Sequence, residues 1–213
     1  MLSKRILKNN KGQNLIELVV AISIILIGVV STLVLTMATI RGGKASEMQT
    51  IASNLAREGI EAAKQQRYNN WLRIESNDLS FIDWDDGLYS IDNSSNIARA
   101  DFNPASSPNW EINFAVDASA SDICISNEEC LLYFQNGIYS HNSSGVPSSF
   151  YRVITINPIC IKSGIEIIRT DSAQCIISDG EEKIGLQVIS DVRWRIRNSW
   201  NSVVFEDHLY NWK

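Results

Sequence analysis

Residues 11–40 read KGQNLIELVVAISIILIGVVSTLVLTMATI: a lysine and a glycine, a single carboxylate at Glu17, and then 23 residues, Leu18–Ile40, without a charge or a proline. At about 1.5 Å of rise per residue such a run makes a helix of roughly 34 Å, enough to cross the hydrocarbon core of a bilayer. Lys4, Arg5, Lys8 and Lys11 precede it with no acid among them, whereas Arg41 and Lys44 after it are diluted by Glu47. That asymmetry places the N-terminus in the cytoplasm and the bulk of the chain outside. A secretory signal peptide is the competing reading, but its apolar region would be about 7 to 15 residues long. This run is too long for that role.

The helical pattern does not stop at the lipid boundary. Met48, Ile51, Ala52, Leu55, Ala56, Gly59, Ile60 and Ala63 recur at helical spacings and form one apolar stripe, with Glu47, Arg57, Glu61 and Lys64 on the other face. The spacing predicts one helix from near Gln13 to about Arg67, apolar all round over 13–40 and one-sided over 41–67. Gly42-Gly43 at the join is a point of bending. From residue 68 the texture changes to short alternating runs separated by Asn, Ser, Gly and Pro, as an antiparallel sheet requires. Trp110, Ile112, Phe114 and Val116 alternate, Asn136-Gly137 is a hairpin signal, and Phe150–Ile156 reads as a strand. In Leu186–Ile196 the side chains of Leu186, Val188, Val192, Trp194 and Ile196 face one way, and a turn over Asn198–Ser202 leads into Val203–Leu209. The expected fold class is α+β: a long N-terminal helix packed by its second half on a small antiparallel sheet, with a β-rich head spanning 68–213.

The chain has 213 residues, enough for one anchored domain with a core. Its hydrophobic fraction of 45% and charged fraction of 20% exclude disorder as the default state. The formal net charge is −5; four basic residues and no acid lie in the first twelve, so the remainder carries −9. That balance argues against a general affinity of the head for phosphate backbones. Cys124, Cys130, Cys160 and Cys175 all fall on the outer side, where disulfides form. Four cysteines allow three pairings, and the two local ones, Cys124 with Cys130 and Cys160 with Cys175, are expected. A zinc site is the rival, but there is no CxxC pair and no His falls within either pair.

Glu17 demands a partner. A carboxylate at membrane depth costs about 2.5 to 3.5 kcal/mol on insertion scales and marks a functional position. No basic residue of the chain lies close enough inside the bilayer to neutralise it. Cutting the peptide bond between Gly12 and Gln13 would create an α-amino group four residues before Glu17, at the same depth. The two could meet one turn apart on a single helix or across neighbouring staggered helices.

Lys11-Gly12-Gln13-Asn14-Leu15-Ile16-Glu17-Leu18, after a basic leader and before an apolar run, resembles the N-terminal processing site of type IV prepilins and of the pseudopilins of type II secretion. The resemblance implies that a membrane prepilin peptidase cuts after Gly12, removes residues 1–12 and methylates the new amine of Gln13. It implies that Glu17, fifth after the cut, neutralises the amine of the next subunit. It further implies other pilin subunits as partners through the N-terminal helix, membrane lipid before assembly, and a membrane assembly platform with its ATPase. The stretch ASNLAREGI (Ala52–Ile60), then Asn70-Trp71, a Val-x-Trp strand and the closing Tyr210-Asn211-Trp212 are similar to minor pilins of the V-type group. Two positions depart from the family pattern. Gln13 stands where Phe or Met is usual, and Val34 where major pilins commonly carry a proline, with Gly28 nearby as an alternative flexible point. The plainer reading of Glu17, an anchor residue favoured by the helix dipole, leaves the Gly12 context unexplained.

Asp83, Asp85 and Asp86 in IDWDDG miss the register of an EF-hand, so a polar turn is expected. Arg193, Arg195 and Arg197 share one strand face with Trp194 between them. They read as a solvated face balanced by Asp191, with a local contact to DNA or to another subunit as the sharper alternative. His141 lies in a Ser/Asn/Gly loop and His208 in the final strand, and neither has a GxSxG or phosphate-loop context. Asn93-Ser94-Ser95 and Asn142-Ser143-Ser144 match a glycosylation sequon. The expectation is a non-enzymatic filament subunit without cofactor or metal, a minor pilin or pseudopilin precursor that ends in an extracellular filament or at the cell surface. The alternatives are a single-pass membrane-anchored binding or sensor protein, and a pseudopilin of a type II secretion or DNA-uptake system.

Overall fold

The computed structural model describes residues 11–76, 83–89, 95–103, 109–114, 126, 128–170, 174–196 and 198–211, with side chains from residue 15 onward. The chain forms two compact units, one ending at Met48 and the other beginning at Gln49. A single helix, α1 (Lys11–Glu75), passes through both. No proline falls between its ends, and every Ser and Thr in its apolar half bonds within the helix.

In the second unit the predicted stripe is the buried one. Ala52, Leu55, Ala56, Ile60 and Ala63 are all at most 5% exposed, while Arg57 and Glu61 face outward. The helix then runs about two turns beyond the Arg67 expected from the sequence. The stripe is carried on by Arg67, Asn70 and Trp71, two of them polar, which is why the apolar pattern ended early. Arg67 is buried with its guanidinium 5.0 Å from the Tyr68 ring centroid and 4.7 Å from that of Trp71, and it donates to the Tyr210 carbonyl. Asn70 donates its amide to the carbonyls of Trp84 and Asp86. Burial is tolerated because each polar side chain finds an acceptor.

Among the described residues eight antiparallel strands follow: β1 (Ile97–Asn103), β2 (Asn109–Asn113), β3 (Leu131–Gln135), β4 (Ile138–Ser140), β5 (Val146–Lys162), β6 (Ile165–Ile168), β7 (Glu182–Ile196) and β8 (Ser199–Tyr210). The organising element is β5. Along one edge it pairs with β7 from Phe150 to Ile161. Along the other it meets β3 near its start, β1 at Ile154–Thr155 and β6 at its end. β8 pairs with β7 over its whole length. The Asn136-Gly137 signal is realised: Gln135 opposes Ile138, and both turn residues have positive φ, 53° and 85°, as a type I′ turn requires. The last hairpin is tighter than predicted. Ile196 already opposes Ser199, so residues 199–202 belong to β8 rather than to a turn. Apart from Trp200 this stretch is Ser and Asn, and that turn-like composition hid its pairing.

The core lies between residues 52–71 of α1 and the β1, β5, β7 and β8 faces. Ile60, Ala63, Trp71, Ala98, Ile154, Ile156, Leu186, Val188 and Leu209 form one buried cluster together with Trp84 and Leu88. At about 1.5 to 3 kcal/mol for each fully buried large apolar side chain, this cluster dominates the stability of the head.

Candidate functional site

From Leu15 to Ile40 every side chain of α1 is exposed, and the apolar ones are exposed on all sides: Leu15 66%, Ile27 67% and Leu35 68% lie on different faces. The helix is long and apolar enough to cross a membrane. Five hydroxyls interrupt its apolar surface. Ser23, Ser31, Thr32, Thr36 and Thr39 each donate to the carbonyl four residues back, at 2.7–2.8 Å. These polar atoms are thereby satisfied by the helix itself, and the cylinder presents hydrocarbon outward, as a lipid or protein apolar environment demands.

Glu17 is exposed in the first turns of this cylinder, where it is the single ionisable residue between Leu15 and Ile40. Among the described residues it has no ion-pair partner. Gly12 and Gln13 lie in the first turn of the same helix, so the Gln13 backbone precedes Glu17 by about one turn. The rest of the leader, residues 1–10, lies outside the described residues.

The head brings together other residues singled out in the sequence. Cys160 and Cys175 form a disulfide, with Cα atoms 5.8 Å apart, that ties β5 to the segment before β7. Cys130 is buried and disulfide-bonded, and Cys124 lies outside the described residues. Glu181 sits beside the Cys160–Cys175 bridge. Its carboxylate accepts from Arg169 and from the Ile176 N–H, contacts that hold it below the usual carboxylate range. Asp83–Gly87 forms the expected turn, yet Asp85 is only 2% exposed and pairs with Lys183, whose ammonium lies 4.7 Å from the Tyr89 ring centroid. Burial pushes the Asp85 carboxyl up in spite of that cation.

The arginine stripe is divided. Arg193 pairs with Asp191 at 2.7 Å, Arg195 donates to Asn198 and lies 6.0 Å from the exposed Trp200 ring, and Arg197 is outside the described residues. Asn142 and Ser143 fall in an exposed turn; Asn93 and Ser94 are outside the described residues.

A buried charged cluster has no counterpart in the sequence reading. Arg152, fully buried on the helix-facing side of β5, donates to Glu58 at 2.7 Å and to the carbonyls of Ala100 and Leu55. Its own carbonyl lies 3.3 Å from His141 Nε2, while His141 Nδ1 lies 2.8 Å from Asp101 Oδ1. Burial lowers the His141 pKa. Burial would raise that of Asp101, but the contacts from His141 outweigh it and hold the carboxyl low. The clue was available: Arg152 interrupts the alternation Phe150, Ile154, Ile156 on one face. Asp101 and His141 also border a groove of about 520 Å³ whose lining mixes Arg99, Gln135 and Asn142 with Phe102 and Ile138.

Comparison of the chain with protein-family models, with curated proteins and with solved structures finds no match.

Proposed function

We propose that the chain is the precursor of a minor type IV pilin or pseudopilin, a structural subunit that leaves the membrane for a filament once its leader is cut. What carries the reading is one arrangement: Gly12-Gln13 and Glu17 at the head of a continuous helix whose apolar side chains over 15–40 are exposed on every face. Before assembly that surface is covered by lipid; in a filament it is covered by the helices of other subunits. The cut after Gly12 frees an amine that neutralises the Glu17 carboxylate of a neighbour, which fixes the axial register of packed helices. Neutralisation is needed because a lone carboxylate in hydrocarbon is costly. A membrane platform and a cytoplasmic ATPase supply the work of extraction, and the β-rich head, cross-linked by its Cys160–Cys175 disulfide, decorates the filament.

Protein from its own host should have an intact mass that begins at Gln13. Gly12→Val should retain residues 1–12, because a bulky branched side chain then stands where the resemblance places a glycine at the cut. A mature-sized product from Gly12→Val, or a cut elsewhere, removes this function. A long-lived uncut wild-type chain would instead favour a membrane-anchored binding protein, whose ligand would meet the groove beside Asp101.

A further inference from the structure

We infer that Gln13 is a site of self-modification: once freed, its α-amine closes onto its own side-chain amide, at a rate that the Glu17 carboxylate slows by holding part of that amine as an ammonium. The inference rests on the cleavage proposed above. A primary amine and a side-chain carboxamide on one glutamine are spaced to form a five-membered ring. The α-nitrogen lone pair attacks Cδ, an N–Cδ bond forms and the Cδ–Nε2 bond breaks. Nε2 departs as ammonia, carrying the proton that the α-nitrogen gives up. The product is a neutral pyroglutamyl lactam, and neither an oxidant nor a reductant is needed.

Only the unprotonated amine has the attacking lone pair. Free α-amines titrate at about 7.7 to 8.0, so a sizeable minority is reactive near neutrality. Gln13 and Glu17 lie four residues, about one turn, apart in one continuous helix, and helical side chains such as that of Glu17 lean toward the N-terminus. An ammonium at residue 13 is therefore within reach of the Glu17 carboxylate, and pairing moves the amine into its unreactive form. No other acid between Leu15 and Ile40 competes for it. Closure also has a consequence for assembly. The lactam carries no charge, so a closed chain cannot neutralise a neighbour's Glu17. The Phe or Met usual at this position has no such chemistry.

The test follows the full precursor in lipid vesicles, cut by a prepilin peptidase with no methyl donor supplied, by intact mass over time. The cut wild-type chain should become lighter by about 17 Da, the mass of ammonia. Glu17→Gln should do so about threefold faster or more, the factor an exposed ion pair supplies, and Gln13→Phe should be cut yet keep its mass. Equal rates in wild type and Glu17→Gln, or a cut chain of constant mass in both, overturn the inference while leaving the cleavage intact. A wild-type chain that keeps residues 1–12 overturns the cleavage and this inference together.

Discussion

Between Leu15 and Ile40 the helix turns Leu, Ile, Val and Met outward on every side, whereas between Ala52 and Trp71 the same helix buries one stripe and keeps charges on the other. The glycines show the contrast most simply. A Cβ built at Gly28, Gly42 or Gly43 meets nothing within 4 Å, but one at Gly59 would lie 2.5 Å from both Ile154 Cδ1 and Ser190 Oγ. In the first half glycine costs helix stability and packs against nothing within the chain; in the second it lets helix and sheet backbones approach. Polar groups divide the same way. The hydroxyls of the first half are satisfied by their own helix, while Arg67 and Asn70 of the second rely on carbonyls distant in sequence. One half is thus built to be covered by something outside the chain, and the other is already covered.

The contrast can be broken most severely at Arg152. Arg152→Ala leaves Glu58 without its cation and the Ala100 carbonyl without a donor, and should lower the unfolding free energy of the full chain in detergent by about 3 to 5 kcal/mol. A loss below about 1 kcal/mol in a denaturant titration would mean that the packed half does not depend on this cluster. Gly59→Ala comes next. Its methyl group must displace both Ile154 and Ser190, at a cost of about 1 to 3 kcal/mol, although alanine is the better helix former by about 1 kcal/mol. Gly42→Ala should change stability in the opposite direction, by no more than that propensity gain. Equal effects of the two substitutions would erase the distinction between the halves.

The smallest effect belongs to the Lys64–Asp207 pair, 2.7 Å apart, which joins α1 to β8. The hydrogen bond from Lys64 holds the Asp207 carboxyl below its ordinary value of 3.8, and the same contact holds Lys64 above 10.5. A depressed carboxyl adds stability above its unfolded pKa, and that stability is lost as pH falls through the lower folded value. A raised amine adds stability below its unfolded pKa, lost as pH rises through the higher folded value. Asp207→Asn should therefore cost less than about 1 kcal/mol at neutral pH, since the pair is partly exposed. The deficit should vanish at the acid extreme, and thermal unfolding across pH measures it.

Apolar periodicity made much of the fold legible. The stripe from Ala52 to Ala63, the Asn136-Gly137 turn and the β7 alternation are local patterns whose period sets which face is buried. The end of the helix was less visible, because Arg67 and Asn70 stand where the pattern asks for apolar residues. Asp85, Asp101, His141 and Arg152 were read as loop residues or passed over, since a charged side chain looks solvated until its partner is known. Their partners lie between 11 and 98 positions away, on other elements.

By itself the sequence determined a 23-residue uncharged run, a lone acid before it and the periods of helix and strand, because these follow from the order of side chains along one chain. Tertiary structure alone decided that Arg152 is buried, that Gly59 is a point of close approach and that the helix reaches Glu75. Each of those depends on which distant backbone supplies an acceptor or a wall, and no local pattern carries that information.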